Sequence, residues 1–151
     1  MAMLSYSNFG SDNEGSPAKV HEAVDIMQRE YPDLAIDGEM QVKYAMNNAA
    51  RDEKYPFTRL VGKDVNTLIF PNLSSANATY QLLQSMEETE VIGPIQMGLN
   101  KPIYFTDCEA SVRDIVNITA IAVIDAIVEK KKKQWENRLI SRNPLFSPFY
   151  G

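Results

Sequence analysis

Cysteine and histidine are nearly missing from this sequence of 151 residues, which contains one of each, Cys108 and His21. A single cysteine excludes an intramolecular disulfide framework and is typical of a reducing compartment, so we expect the cytoplasm. One cysteine and one histidine also leave no spacing of the kind that binds zinc. We therefore expect neither a disulfide-stabilised secreted domain nor a metal site.

Long apolar runs and excess positive charge are missing as well. No apolar run reaches the roughly 18 residues that a membrane-spanning helix needs, and the N-terminus lacks the pattern of a signal peptide. Acidic residues outnumber basic ones by 20 to 15, which gives a formal net charge of −5. Nucleic acids and anionic membranes are bound through basic surfaces, so this charge argues against both as partners.

The strongest pattern that is present predicts a long helix beginning at Ser111. Ser111 and Asp114 form a capping box, in which each side chain bonds the backbone of the other residue. Ile118, Ile121 and Ile124 form a second apolar face, so the helix is apolar over most of its circumference. Helices that are apolar all round are buried. We therefore expect this helix to lie at the centre of the core. Its first apolar face carries Val112, Ile115, Val116, Thr119, Ala122, Val123, Ala126 and Ile127.

Short strands alternate with helices along the whole sequence. The predicted strands are 3–9, 34–36, 65–70, 90–92 and 102–105, and the predicted helices before residue 111 are 16–31, 42–49 and 72–86, with a loop at 51–63. Such alternation predicts an α/β fold with a mainly parallel sheet between two layers of helices. Ligands bind beyond the carboxyl ends of such strands. The segments to inspect are 7–15, 37–41, 71–77, 93–98 and 106–111.

Those strand-end segments carry five motifs in a fixed order: Met-Leu-Ser-Tyr-Ser at 3–7, Ile-Asp-Gly-Glu-Met-Gln at 36–41, Leu-Ile-Phe-Pro-Asn-Leu at 68–73, Met-Gly-Leu-Asn-Lys-Pro at 97–102 and Ser-Val-Arg-Asp-Ile-Val-Asn at 111–117. The sequence from Met3 to about Ala126 resembles the phosphate acetyl/butyryltransferase family. The resemblance implies a three-layer fold like that of isocitrate and isopropylmalate dehydrogenases. It corresponds to the C-terminal half of the family's domain, so we expect residues 1–136 to be a domain truncated on its N-terminal side.

The resemblance also implies positions for a coenzyme A and phosphate site. The family's proposed base falls on Asp114, whereas three of its cations are replaced by Gln81, Ser85 and Cys108. Asp107 stands where the family has a serine, and Thr106 could supply that serine's hydroxyl only if the alignment were shifted by one residue. Because Arg and Lys recognise phosphate groups, these losses predict a crippled transferase site. Ser5 and Ser7 lie near a strand end, where they could contact phosphate.

Two functions follow from the resemblance. The first is a regulatory and oligomerising phosphotransacetylase-like domain of an NADP-dependent malic enzyme, with acetyl-CoA as an effector and with NADP and a divalent metal confined to upstream domains of the same chain. The second is an active phosphate acetyltransferase. A third and more general interpretation is an α/β domain that binds another ligand. We expect a homo-oligomer, a dimer or larger.

Several of these residues also have purely structural interpretations. Asp114 could serve only the capping box. Cys108 could be a small packed residue rather than a nucleophile, because acidic neighbours raise the pKa of a thiol and so disfavour the reactive thiolate. His21, beside the apolar face of its helix, is expected at the surface or at the boundary of the core. Gly38 is expected to make a turn, with Asp37 or Glu39 capping the next helix.

The end of the chain forms a separate zone, 137–151. Its many large apolar side chains predict that it docks on the domain or on a partner subunit, since solvated tails are poor in aromatic residues. Asn143-Pro144 and Ser147-Pro148 are expected to keep it extended. The lysines 130–133 before it are typical of a solvated helix end.

Overall fold

A computed structural model of the chain describes residues 1–86, 91–99 and 101–142, with side chains up to residue 134. The chain divides into two compact units, residues 1–87 and 88–151. The first unit contains β1 (Ala2–Leu4), α1 (Gly15–Glu30), β2 (Asp37–Met40), α2 (Val42–Met46), α3 (Asn48–Lys54), β3 (Leu68–Ile69) and α4 (Leu73–Gln84). The second contains α5 (Val112–Arg142).

The sheet of the first unit has three strands in the order β2-β1-β3, and both pairs are parallel. This confirms the predicted α/β class with a parallel sheet. β1 and β3 are shorter than predicted, because only residues 2–4 and 68–69 keep strand pairing. Residues 5–9 leave the sheet and form the loop after β1.

The second strand lies later in the chain than predicted. Residues 34–36 are not in a strand, whereas Asp37–Met40, expected as a turn and a cap, form the fully buried β2. Gly38 pairs with Met3, and a Cβ at Gly38 would lie 2.5 Å from the Met3 carbonyl oxygen. Two features explain why this polar sequence can be buried. The close approach of β2 to β1 needs a glycine at position 38, and the carboxylates of Asp37 and Glu39 both accept hydrogen bonds.

Alternate residues of β1 face two small cores. Met3 packs with Val20 and Val24 of α1, and with Ile36. Ala2 and Leu4 pack on the other side with Met40 of β2, Ala45 of α2 and Leu60. Side chains that alternate along a strand thus place helices on both faces of the sheet, the three-layer arrangement that was predicted.

The boundaries of the helices in this unit differ in detail from the prediction. α1 begins one residue before Ser16, and its N-cap is Glu14, which makes no capping hydrogen bond with its side chain. The predicted helix 42–49 is two helices, and α3 extends to Lys54 into the predicted loop. It restarts because Asn47 Oδ1 accepts from the Ala50 N–H at 3.0 Å, a new N-cap. Asn72 caps α4 in the same way, at the predicted start of that helix.

The second unit differs most from expectation. Residues 91–92 and 102–105, predicted as strands, are not in strands, and Glu90 lies outside the described residues. α5 begins after Ser111 as predicted, but most of its large apolar side chains are exposed, as Val112 is at 79% and Ile124 at 61%, whereas Ile118 is buried. With no strand in its described residues, this unit offers α5 no sheet to pack against.

α5 continues past residue 137 to Arg142, and the predicted docking segment beyond it lies outside the described residues. In the described part of the chain, no helix is both long and apolar enough to cross a membrane.

Candidate functional site

The loop after β1 closes over a buried carboxylate on β2. Glu39 is fully buried, and its Oε1 accepts from the Ser7 hydroxyl at 2.8 Å and from the Gly10 N–H at 2.7 Å. The Phe9 N–H donates to the Glu39 backbone carbonyl at 2.8 Å, which fixes the same loop a second time. Burial raises the pKa of Glu39, but the donors from Gly10 and Ser7 outweigh it and lower the pKa. Glu39 is therefore an ionised anchor for the loop.

His21 of α1 completes this cluster. Its Nδ1 lies 3.1 Å from Glu39 Oε2, and about half of its side chain, 52%, remains exposed. The expected position at the helix surface is thus confirmed, but the contact with Glu39 was not predicted. The two residues are 18 apart in sequence, and the missing signal was that β2 carries Glu39 toward α1. Glu39 of the motif at 36–41 thus bonds both the loop after β1 and α1.

Ser5 and Ser7, proposed as phosphate contacts, are both buried. Ser7 is 2% exposed, and its hydroxyl oxygen lies 2.9 Å from the Ser11 hydroxyl oxygen and accepts from the Asp12 N–H at 3.0 Å. With Glu39 as its third partner, the Ser7 hydroxyl is fully engaged within the protein. Ser5 Oγ accepts from the Ser7 N–H at 3.3 Å. The structure assigns both hydroxyls to the loop, and ligand contact remains a prediction.

Asp37, the other carboxylate of β2, anchors a second loop. Its Oδ2 accepts from the Thr58 hydroxyl at 2.6 Å and from the Arg59 N–H at 2.7 Å. Oδ1 accepts from Gln28 Nε2 of α1 at 3.1 Å and from the Gly38 N–H at 3.0 Å. Asp37 therefore ties together α1, β2 and the loop after α3, and it caps no helix.

Gln81 lies in the last turn of α4, and Ser85, four residues later, is the C-cap residue of that helix. Both are exposed. The Ser85 hydroxyl donates to the Leu82 carbonyl at 2.7 Å, so it is directed to the helix end. The first unit thus contains Ser5, Ser7, Gln81 and Ser85. The two serines lie together in the loop after β1, and Gln81 and Ser85 lie together at the C-terminal end of α4.

The other predicted site residues lie in the second unit, in the loop before α5. Thr106, Asp107 and Cys108 are exposed. Asp107 Oδ1 accepts from the Glu109 N–H at 3.2 Å and from Cys108 Sγ at 3.3 Å, and these bonds lower the pKa of Asp107. Cys108 is a free, exposed thiol, so the expectation that it is a packed residue is wrong.

Asp114 occupies the predicted capping box at the start of α5. Its Oδ2 accepts from the Ser111 hydroxyl at 2.6 Å and from the Ser111 N–H at 2.9 Å. In return, the Asp114 N–H donates to the Ser111 hydroxyl at 3.2 Å. The Ser111 hydroxyl and N–H lower the pKa of Asp114, so it is ionised at neutral pH. The same Oδ2 accepts both bonds.

An open cleft of about 440 Å³ lies within the second unit, between residues 95–104 and α5. Its lining is mostly apolar and includes Met97, Leu99 and Ile124, with Lys101 as its one cation. The Tyr104 hydroxyl donates to Asp125 Oδ2 at 2.8 Å, and this bond raises the pKa of Tyr104. A cleft of this size and polarity suits an apolar group better than several phosphates.

Metal ligation finds no support in the described residues, where no group of three or more His, Cys, Asp or Glu side chains is arranged to hold an ion. The buried carboxylates Glu39 and Asp37 are bonded to hydroxyl, amide and imidazole groups of the protein. Both carboxylates thus hold neighbouring segments of the protein together.

Comparison with known proteins agrees with this combination of sheet and motifs. Residues 1–123 match the model of the family described as "Phosphate acetyl/butaryl transferase". The chain belongs to this family. A phosphotransacetylase from Streptococcus pyogenes is similar in structure, with a TM-score of 0.75 and 38% identity over 83% of this chain and 38% of that one.

Two kinds of relative are similar at nearly equal identity. An NADP-dependent malic enzyme of Salmonella typhimurium is 41% identical over 127 residues, which are 83% of this chain and 17% of the malic enzyme. A phosphate acetyltransferase of Clostridium acetobutylicum is 40% identical over 126 residues, which are 83% of this chain and 38% of that protein. The chain therefore spans less than two fifths of either relative, and it matches their C-terminal phosphotransacetylase-like region.

Proposed function

We propose that the chain is the phosphotransacetylase-like regulatory and oligomerising region of a larger NADP-dependent malic enzyme, without transferase activity. The observation that carries the proposal is the set of uncharged side chains, Gln81, Ser85 and Cys108, at positions where the family resemblance implies cations. All three are exposed. Each missing charge-assisted contact to a phosphate group costs on the order of 1.5–3 kcal/mol of binding.

The geometry at Asp114 supports the same proposal. The carboxylate at the position of the family's base is engaged by Ser111 in a capping box. A base must lie within hydrogen-bond reach of the proton that it removes, and it works best with a pKa near the working pH. The lowered pKa of Asp114 makes it a weaker base for a coenzyme A thiol.

The proposal assigns the remaining functions to other parts of the parent protein. NADP and a divalent metal would be bound by upstream domains of the same chain, and acetyl-CoA would act as an effector on this region. We also propose that the parent is a cytoplasmic homo-oligomer. The similarity to malic enzymes, of which this region is 17% of the length, supports the presence of such upstream domains.

An active phosphate acetyltransferase is the second candidate. It is favoured by the 40% identity to the phosphate acetyltransferase of Clostridium acetobutylicum and by the structural similarity to the enzyme of Streptococcus pyogenes. The lost cations argue against it, since coenzyme A and phosphate both require them.

The two candidates are separated by assaying the full-length parent protein. We expect NADP-dependent oxidation of malate that acetyl-CoA inhibits, and no formation of acetyl-CoA from acetyl phosphate and coenzyme A. The variant with Gln81→Lys, Ser85→Arg and Cys108→Arg should bind phosphate and coenzyme A more tightly if these positions face the ligand.

A control variant places the same added charge at exposed sites of the first unit, Ala18→Lys, Ala49→Arg and Asn66→Arg. It should leave anion binding unchanged. Robust acetyl transfer by the parent protein would overturn the proposal in favour of the second candidate.

A further inference from the structure

The open cleft of the second unit has the size of a small-molecule site. It lies between residues 95–104 and α5 and has a volume of about 440 Å³. Its lining residues, as far as the structure describes them, include none of the positions that the family resemblance assigns to coenzyme A and phosphate. Concave and mostly apolar sites of about 300–1,000 Å³ are typical of ligand binding. The cleft is therefore a candidate site of its own.

Both walls of the cleft present apolar side chains that nothing in the described chain covers completely. On the α5 wall, Ile124 is 61% exposed and Val128 is 56% exposed, and residues four apart lie on one face of a helix. On the opposite wall, Leu99 is 48% exposed. An alkyl group between these walls would remove apolar surface from water on both sides, which drives binding.

Two charged residues, Lys101 and Asp125, line the same cleft. Asp125 already has a partner, because its Oδ2 accepts from the Tyr104 hydroxyl at 2.8 Å. Lys101 differs, since no carboxylate of the described residues lies within ion-pair distance of its ammonium group. The charge that the lining offers to a ligand is therefore a single positive one.

An apolar cleft with one such cation is complementary to a ligand that joins an alkyl chain to a single negative charge. We propose that the cleft binds a hydrophobic monocarboxylate, with its alkyl chain between Leu99 and the α5 wall and its carboxylate at the Lys101 ammonium group. A ligand with several phosphates would need more cations than this lining supplies. The inference goes beyond the proposed function, because it uses neither the family's site positions nor a coenzyme A ester.

Isothermal titration calorimetry on the full chain tests the ligand class with hexanoate, heptanoate, octanoate and octanol as probes. We expect one octanoate to bind per chain, and the affinity to rise about twofold to fourfold with each methylene group along the series. Octanoate should bind more tightly than octanol, by at most about fivefold, because ion pairs at exposed sites are weak. That preference should shrink with added salt.

Lys101→Gln tests the proposed position of the carboxylate. It should abolish the preference for octanoate over octanol and leave the binding of octanol itself unchanged. Lys130→Gln, at an exposed lysine of α5 that does not line the cleft, is the matched control and should keep the preference. A role of Lys101 in stability alone would weaken both probes equally, and this result would overturn the proposal.

Val128→Asn tests the apolar wall, and Val116→Asn is its matched control. Both valines lie on α5 and are similarly exposed, at 56% and 59%, but only Val128 lines the cleft. Val128→Asn should weaken octanoate binding by roughly threefold or more, whereas Val116→Asn should have no effect. Leu99→Asn repeats the test on the opposite wall without altering the helix, and it should weaken binding in the same way.

Three other results would overturn the inference. The first is octanoate binding that does not saturate, and the second is equal weakening by Val128→Asn and Val116→Asn, which would indicate general adsorption to exposed apolar side chains. The third is octanoate binding that weakens as the protein concentration rises, because a second copy of the chain would then occupy the cleft. Acetyl-CoA should not displace octanoate, and displacement would refute a site separate from the effector's.

Discussion

Replacing Glu39 tests whether a buried carboxylate on β2 anchors the loop after β1. In Glu39→Ala, the Ser7 hydroxyl and the Gly10 N–H lose their acceptor, and each unsatisfied buried donor costs about 1–3 kcal/mol. We therefore expect the free energy of unfolding at pH 7 to fall by about 3 kcal/mol or more. Glu39→Gln keeps a carbonyl oxygen for both donors but removes the charge, so it should cost only about 1–2 kcal/mol.

The effect of Glu39→Gln should depend on pH with a defined sign. The folded protein lowers the pKa of Glu39 below its ordinary value of 4.5, so the stability that this carboxylate contributes is complete above that pH. It is lost as the pH falls through the lower, folded-state pKa. The difference in free energy of unfolding between the wild type and Glu39→Gln should therefore narrow as the pH falls below about 4.5.

Urea unfolding followed by circular dichroism measures both effects, and hydrogen exchange locates them. In Glu39→Ala, the Gly10 amide should exchange faster, whereas the Phe9 amide, which donates to the Glu39 backbone carbonyl, should stay protected. Glu22→Gln, at an exposed site on α1, is the matched control and should change neither stability nor exchange. Unchanged stability of Glu39→Ala at pH 7, or equal exchange at both amides, would refute the reasoning.

Three further predictions concern stability and assembly. Arg51 is fully buried and donates to the Leu60 and Lys63 carbonyls at 2.7 and 2.9 Å, so Arg51→Met should cost about 3 kcal/mol or more in urea unfolding, and Arg51→Lys should not restore it. Gly38→Ala should prevent folding or lower the free energy of unfolding by roughly 3 kcal/mol or more, because the added Cβ would clash with the Met3 carbonyl oxygen. Gly62→Ala, at a φ of 67° but with open space around the added Cβ, should lower it by only about 1 kcal/mol. Light scattering should show a dimer or larger species that Ile124→Glu shifts toward monomer, whereas Lys131→Glu, at the exposed lysine-rich end of α5, should not; a wild-type monomer that persists at high concentration would contradict this.

Local signals in the sequence predicted the helix starts at Asn72 and Ser111, because a cap involves residues only three apart. They failed at β2. Asp37-Gly38-Glu39 has the composition of a turn, and its burial depends on donors from residues 7–10 and 58–59, which are distant in sequence. Side-chain periodicity carries no information about such partners, so the polar strand and its contact with His21 could not be predicted.

The exposure of α5 shows the other limit of a periodic pattern. The capping box of Ser111 and Asp114 forms as predicted, and it acts within a single turn, so the helix can begin without any partner. Its apolar surface is a different matter, since Val116 remains 59% exposed and Val123 53% exposed. A pattern that is apolar around most of a helix indicates that burial is needed, but it does not say which chain or domain supplies the covering surface. Burial of α5 is therefore the property of this sequence that most requires a partner, and it connects the failed prediction of a core helix with the proposed assembly.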